Sequence, residues 1–355
     1  MSIAEIARPE IRALSPYSAA EQVDDTIRLN ANEAPWASPV DRFARPLNRY
    51  PEIRPAALRA ALARRFGVEP ASVLVTRGTS EAIDLLIRCF CEAGRNEILT
   101  TAPTFSMYRH YARIQNAAVA EIACDPADDF RPDPDAVIGA IGPDTRLVFL
   151  CSPNNPTGTL LPEESLRRIL ESARGRAAVV VDEAYIEFAD TPSSVGLLER
   201  FDNLIVLRTL SKALAFAGAR CGVAIAHADV IDLMDAVQAP YALATPVVEC
   251  VAAALQGDAL EEAGRQVAGI VAERQRLASR LEAYDFVRRV WPSAANFLLI
   301  EVDDANGVVD AVRRDGILVR QFGADLPDCI RISIGSATEN DRLLASLDRR
   351  AGAVS

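Results

Sequence analysis

Lysine is almost missing from this chain. Of the 38 basic side chains in 355 residues, 37 are arginines and Lys212 is the one lysine. An arginine guanidinium stays protonated, whereas a desolvated lysine amine can lose its proton and form a Schiff base with a carbonyl. A single lysine set in Leu210-Ser-Lys-Ala-Leu-Ala-Phe216, among mostly apolar neighbours, is therefore read as a chemical group rather than a surface charge. Histidine is nearly as scarce, with only His110 and His227. The seven cysteines (Cys89, Cys91, Cys124, Cys151, Cys221, Cys250 and Cys329) are scattered at spacings that suit neither a zinc centre nor a disulfide framework. Their odd number, mostly inside apolar runs, points to buried thiols in a reducing compartment.

Other absences narrow the function further. No apolar run approaches the roughly 18 residues that cross a membrane, and the first residues lack the basic-then-apolar pattern of an export signal. A cytoplasmic protein is expected. The formal charge is −11 with a pI near 4.9, and the arginines are interspersed with acids, so neither nucleic acid nor an anionic membrane is expected as a partner.

What is present is enough apolar material, 50% of the residues, for a large core and more than one domain. From Pro55 the pattern alternates between short β-branched runs and amphipathic stretches. Helical spacing covers residues 55 to 66, 80 to 91 and 166 to 173; strand-like runs fall at 73 to 76, 97 to 100, 117 to 123, 147 to 151, 177 to 181, 203 to 207 and 224 to 226. This βαβ rhythm predicts a mainly parallel sheet covered by helices on both faces. Beyond Ala226 the rhythm changes to helices at 247 to 255 and 260 to 283. Strands follow at 297 to 302, 317 to 321 and 329 to 334, with helices at 307 to 314 and 339 to 349, the last capped by Thr338. The expected division is an N-terminal arm over 1–30, a large α/β domain over 31–245 and a small α+β domain over 246–355.

Several stretches carry chemistry. Arg77-Gly-Thr-Ser80 joins a strand to a helix and presents unpaired N–H groups at the positive end of the helix dipole, a seat for phosphate. Ser152-Pro-Asn-Asn-Pro-Thr-Gly158 fixes a rigid loop at the carboxyl end of a strand, where open α/β sheets place ligands, and its Asn155-Pro156 bond is a candidate cis peptide. Asp182 follows five apolar residues, a costly place for a carboxylate without a partner, and Tyr185 lies three residues on. Thr209, Ser211 and Arg220 surround Lys212 with two hydroxyls and a planar cation, suited to a phosphate beside a lysine-bound aldehyde. Arg320 and Arg331 each interrupt an apolar strand run and need an anion, either a structural carboxylate or a ligand.

Ser211-Lys212 followed by small residues and Gly218-x-Arg220-x-Gly222 resembles the lysine segment of the fold-type I pyridoxal-phosphate aminotransferases. Leu29-Asn-Ala-Asn-Glu-Ala-Pro35, Arg49-Tyr-Pro51, Cys151-Ser-Pro-Asn-Asn-Pro-Thr-Gly158 and Val181-Asp-Glu-Ala-Tyr-Ile-Glu-Phe188 are similar to strings of the histidinol-phosphate aminotransferase family within that group. The resemblance runs over about residues 29 to 335 and implies a seven-stranded, mainly parallel sheet. It departs in the phosphate turn, which reads Gly78-Thr-Ser-Glu81 where an aspartate is more usual, and in the loosely similar segment after Tyr17. It implies that Lys212 carries pyridoxal 5'-phosphate, whose phosphate meets Thr79, Ser80, Thr209, Ser211 and Arg220. Phe105 would stack on its ring, Asp182 would pair with the ring nitrogen, and Asn155 with Tyr185 would meet the phenolic oxygen. Tyr50 would reach the cofactor phosphate of the other subunit of a homodimer with shared active sites, while Tyr17, Arg320 and Arg331 would bind substrate. The substrates implied are histidinol phosphate and glutamate/2-oxoglutarate, in ping-pong exchange. An aromatic amino-acid aminotransferase and a phospho-amino-acid decarboxylase share the fold. A cofactor-sensing regulator also shares it, but would carry a basic DNA-binding module for which this chain has no spare length.

Overall fold

The computed structural model describes residues 2–17, 22, 27–43 and 45–354. Much of the segment after Tyr17, in the arm expected over 1–30, lies outside the described residues. What is described of the arm includes a short helix, α1 (Pro9–Arg12). The main body then follows as α2 (Ala56–Phe66), β1 (Val73–Thr76), α3 (Thr79–Phe90), β2 (Glu97–Ala102), α4 (Met107–Ile114), β3 (Ala118–Ala123) and α5 (Pro134–Ala140). It continues with β4 (Thr145–Cys151), α6 (Glu163–Ala173), β5 (Ala178–Asp182), β6 (Leu204–Thr209), β7 (Gly222–Ala226) and α7 (Ala228–Val237). The strands form one seven-stranded sheet in the order β1-β7-β6-β5-β4-β2-β3. Its β2, β3, β4, β5 and β6 pair in parallel, and β7 runs antiparallel between β1 and β6.

The strands are apolar almost throughout because both faces are covered. Successive residues alternate between two cores: Phe149, Val180 and Leu207 point to one, packed by α3, α4 and α7, and Val148, Val179 and Val206 to the other, packed by α2, α5 and α6. That alternation is the two-residue period of a strand in a sheet buried on both sides. α2 stops where Gly67 enters the left-handed region at φ 68° and its N–H returns to the carbonyls of Ala63 and Arg64, the cap conformation glycine accepts without strain.

After α7 come α8 (Thr245–Ala254) and the 24-residue α9 (Asp258–Leu281), then β8 (Val287–Val290), β9 (Phe297–Val302), α10 (Ala305–Arg314), β10 (Arg320–Gln321), β11 (Cys329–Ser333) and α11 (Ala337–Val354). These strands make a separate antiparallel sheet in the order β10-β11-β9-β8. Two expectations need correction. The strand foreseen over 317 to 321 is only two residues long, because Leu318 faces solvent and no second core covers it. α11 starts earlier than foreseen: Ser336, not Thr338, caps it, its Oγ accepting from the Glu339 N–H while Glu339 Oε2 accepts from the Ser336 N–H at 2.8 Å, a reciprocal capping box.

Candidate active site

The turn expected to seat a phosphate forms where β1 gives way to α3. Gly78 caps that helix at φ 77°, and Glu81 at its first turn reaches back to accept from the Arg77 N–H at 2.6 Å. This holds the turn so that the N-terminus of a 12-residue helix, with Thr79 and Ser80, faces a cavity of about 140 Å³. Arg220, Thr209, Ser211 and Lys212 line the same cavity. They arrive on the connection between β6 and β7, whose ends are paired at Thr209 and Gly222. Thr209 and Ser211 are joined by a hydroxyl hydrogen bond of 3.0 Å. Arg220 takes a left-handed backbone, φ 52°, which lays its guanidinium over Gly78. Gly222 has no room for a side chain: a Cβ there would sit 2.9 Å from Cα and C of Gly78.

At the floor of the cavity Asp182 ends β5, almost wholly buried. Its Oδ2 accepts from the Tyr108 hydroxyl at 2.9 Å and its Oδ1 from the Ala184 N–H at 3.2 Å. Burial pushes its carboxyl up to about 6, against the lowering effect of those two hydrogen bonds. Asn155 donates from Nδ2 to the Tyr185 hydroxyl at 3.1 Å. The Asn155-Pro156 bond is cis. Lys212 Nζ lies 5.6 Å from the centre of the Tyr185 ring. The lysine side chain opens to the cleft, yet the protein crowding it on its other sides, and then Arg331 and Arg220, lower its pKa against the pull of Asp182. Half-buried Phe105 stands on the opposite wall, with Tyr108 edge-on behind it at 5.7 Å.

A larger cleft of about 770 Å³ adjoins this cavity through Phe105, Asn155, Tyr185 and Lys212, and Arg331 and Arg320 line its far side. Arg331, on β11, lies between the rings of Phe297 (5.2 Å) and Phe322 (5.7 Å) and donates to Asn155 Oδ1. Its Nε is buried without a partner, and burial lowers the guanidinium's pKa. A half-buried cation with an orphaned donor beside a cleft has the character of an anion receptor.

Arg320 pairs across the strands with Arg331 but is solvent-exposed, so the sequence-based picture of an arginine enclosed in an apolar strand holds only for Arg331. Tyr17 and Tyr50 line neither cavity of this chain. Tyr50 stacks on Tyr241 at 4.7 Å, and Tyr17 is 59% exposed. The remaining sequence-derived residues, Lys212, Asp182, Tyr185, Thr79, Ser80, Phe105, Asn155, Thr209, Ser211 and Arg220, converge on one place. Sequence reasoning missed Tyr108 and Phe322. The signal for Tyr108 was its position in Met107-Tyr-Arg-His-Tyr-Ala-Arg, where Tyr108 and Ala112 share the buried face of a helix. Among the described residues no group of three or more metal-ligating side chains converges, and no helix is long and apolar enough to cross a membrane.

A lysine poised between a helix N-terminus and an arginine-bearing cleft, on a doubly wound sheet, suits an enzyme of amine and carbonyl chemistry. The chain belongs to the aminotransferase class I and II family, whose sequence model matches residues 25–347. It is 44% identical to a histidinol-phosphate aminotransferase of Xanthomonas euvesicatoria pv. vesicatoria over 99% of both chains. Among solved structures it is similar to the histidinol-phosphate aminotransferase from Clostridium acetobutylicum, with TM-score 0.77, 25% identity, and coverage of 86% of this chain and 91% of that one. It is also similar to the Sinorhizobium meliloti histidinol-phosphate aminotransferase in complex with pyridoxal-5'-phosphate, with TM-score 0.78, 26% identity, and coverage of 87% and 84%.

Proposed function

We propose that the chain uses pyridoxal 5'-phosphate to exchange an amino group between histidinol phosphate and 2-oxoglutarate, giving imidazole acetol phosphate and glutamate. The observation that carries this reading is the place of Lys212: the only lysine of the chain stands where a cavity of about 140 Å³ opens into a cleft walled by Arg331.

The residues suit the cofactor. Thr79, Ser80, Thr209, Ser211 and Arg220 would hold its phosphate, Phe105 the face of its ring, Asp182 the ring nitrogen, and Asn155 with Tyr185 the phenolic oxygen. When bound, it supplies an aldehyde for the substrate amine and a ring that withdraws electrons from the substrate's Cα. Lys212 Nζ would take the proton from that carbon and deliver it to the cofactor's former aldehyde carbon, base and then acid, and its lowered pKa favours the neutral amine such a base needs. Arg331 grips the substrate's anionic end, with its Nε as a donor that has no other partner. Exposed Arg320 beside it offers a second fork. One site must accept the phosphate of one substrate and the carboxylate of the other, which arginine can do bidentately. The relatives named above support histidinol phosphate as the phosphorylated partner.

The unit over 31–245 would carry the cofactor, and the unit over 246–355 would bring Arg320 and Arg331 to it. A homodimer with shared sites would place Tyr50 against the partner's cofactor phosphate. In its support, nine of the eleven exposed large apolar side chains among the described residues fall between Leu14 and Tyr50. Seven free thiols agree with a reducing cytoplasm.

The test is a half-reaction. Loaded protein is mixed with histidinol phosphate or with phenylalanine, without a keto acid, while the cofactor's visible absorption is followed. Conversion by histidinol phosphate at low concentration is expected. Preference for phenylalanine would make the chain an aromatic amino-acid aminotransferase, and no visible band at all would remove the cofactor from the reading.

A further inference from the structure

We propose that Tyr108 is a positioning residue for Asp182: its hydroxyl fixes the orientation of that carboxylate and favours its charged form opposite the cofactor's ring nitrogen. This rests on the cofactor reading given above.

The hydroxyl donates to Asp182 Oδ2 at 2.9 Å from a fully buried side chain. Its ring cannot swing away, being stacked on Phe149 at 4.8 Å and 14° and held edge-on by Phe105 at 5.7 Å. Phe105, the ring-stacking candidate, and Tyr108, the carboxylate's donor, thus stand three residues apart at the start of α4. A carboxylate offers about four acceptor positions. Tyr108 and the Ala184 N–H occupy one on each oxygen, which leaves room for a donor from the cavity and little freedom to rotate.

The charges around Asp182 make the donor consequential. Neighbouring Glu183 disfavours its ionisation, Lys212 favours it, and the Cys151 thiol beside it is itself pushed up by burial. Burial dominates, and Asp182 titrates at about 6 even with the hydroxyl in place. Removing that donor therefore moves the carboxyl toward neutrality. Tyr108, raised well above the usual tyrosine value by burial and by Asp182, remains a donor throughout.

The experiment compares wild-type protein with Tyr108→Phe, which keeps the ring and deletes the hydroxyl. Two quantities are read: the dissociation constant of pyridoxal 5'-phosphate, and the pH midpoint at which the bound cofactor's visible band titrates. The dissociation constant should rise roughly tenfold, the order a hydrogen bond to a charged group contributes. With less positive charge at the ring nitrogen, the nitrogen joining Lys212 to the cofactor becomes more basic, so the midpoint should also rise. In an Asp182→Asn background the same change should alter affinity less than about twofold, since the coupling term of such a cycle isolates the pair. Wild-type affinity and midpoint in Tyr108→Phe overturn the proposal, as does an equal loss in both backgrounds. If the phenylalanine variant does not fold, 3-fluorotyrosine at position 108 retains the ring and strengthens the donor; the midpoint should then fall, and an unmoved midpoint refutes the role. Wild-type protein that shows no band with the cofactor defeats the functional reading itself, a different result from a wild-type band that Tyr108→Phe leaves unchanged.

Discussion

Gly222→Ala should damage cofactor binding from a position outside the lining of the cavity. A Cβ at Gly222 would meet Cα and C of Gly78 at 2.9 Å and the Arg208 carbonyl oxygen at 3.0 Å. Ordinary carbon contacts lie at about 3.5–4.0 Å, so β7 or the Gly78 turn must move by roughly 0.5–1 Å. Every close atom is backbone, and no flexible side-chain end can yield instead. Overpacking of this kind costs about 1–3 kcal/mol of stability. The larger effect falls on the phosphate seat, because Gly78 caps α3 and carries Thr79 and Ser80 with it. A donor drawn about 0.5 Å off a 2.9 Å hydrogen bond is largely lost, and one lost bond to a charged phosphate corresponds to about a tenfold to hundredfold weaker dissociation constant. The assay is a titration of cofactor-free protein with pyridoxal 5'-phosphate, followed by visible absorption, beside a denaturant melt. Gly139→Ala, where the added carbon meets nothing within 4 Å, is the control and should bind the cofactor as wild type does. Binding by Gly222→Ala within twofold of wild type would refute the claim that the β7 start supports the seat.

Three further outcomes are expected. Lys212→Ala should lower transamination by about 10⁴-fold or more while leaving the circular dichroism spectrum intact, and turnover within tenfold of wild type would end its role as proton carrier. Arg331→Ala should raise KM for both histidinol phosphate and 2-oxoglutarate by at least about tenfold, the order of a charge-assisted hydrogen bond; a rise for only one would show that the two anions bind apart. Asp182 titrates at about 6 in the folded protein against an ordinary 3.8. Proton uptake therefore favours the cofactor-free fold below about pH 4, and that contribution, on the order of 3 kcal/mol, is lost as pH rises through 6. Denaturant melts at pH 4.5 and 7.5 should show Asp182→Asn gaining on wild type at the higher pH, and a pH-independent difference would contradict the buried-carboxylate assignment.

Much of this site was legible because its chemistry is written in local strings. Asp182 after five apolar residues, the Asn155 loop with its prolines, and a lysine without competitors each announce an unusual requirement within a few residues. The large sheet was legible for a related reason: strands covered on both faces leave long β-branched runs such as Ala177 to Val181. Residues whose role depends on distant partners were not. Tyr108 meets Asp182 across 74 positions of sequence, and on its own helix it reads as one more apolar face. Arg320 and Arg331 look alike in sequence, yet Arg331 lies on the inner strand β11 between Phe297 and Phe322, while β10 is an edge of two residues. Only the sheet order and the two phenylalanine rings separate a half-buried arginine from an exposed one. Ser336 and Thr338 both precede an acid, and the cap fell to the one exactly three residues before Glu339.

The isolation of Lys212 gives the molecule a further property. Apart from the chain terminus, its Nζ is the one primary amine, and it opens onto the cleft. Acylating and carbamylating reagents directed at amines, which on most proteins scatter over the surface, have a single internal target here. A lysine-specific endoproteinase likewise has one bond to cut, after residue 212. Any such reagent becomes an occupancy gauge: the mass or cleavage it leaves behind reports whether that amine was free or engaged, with no background from the other 37 cations, all of them guanidinium.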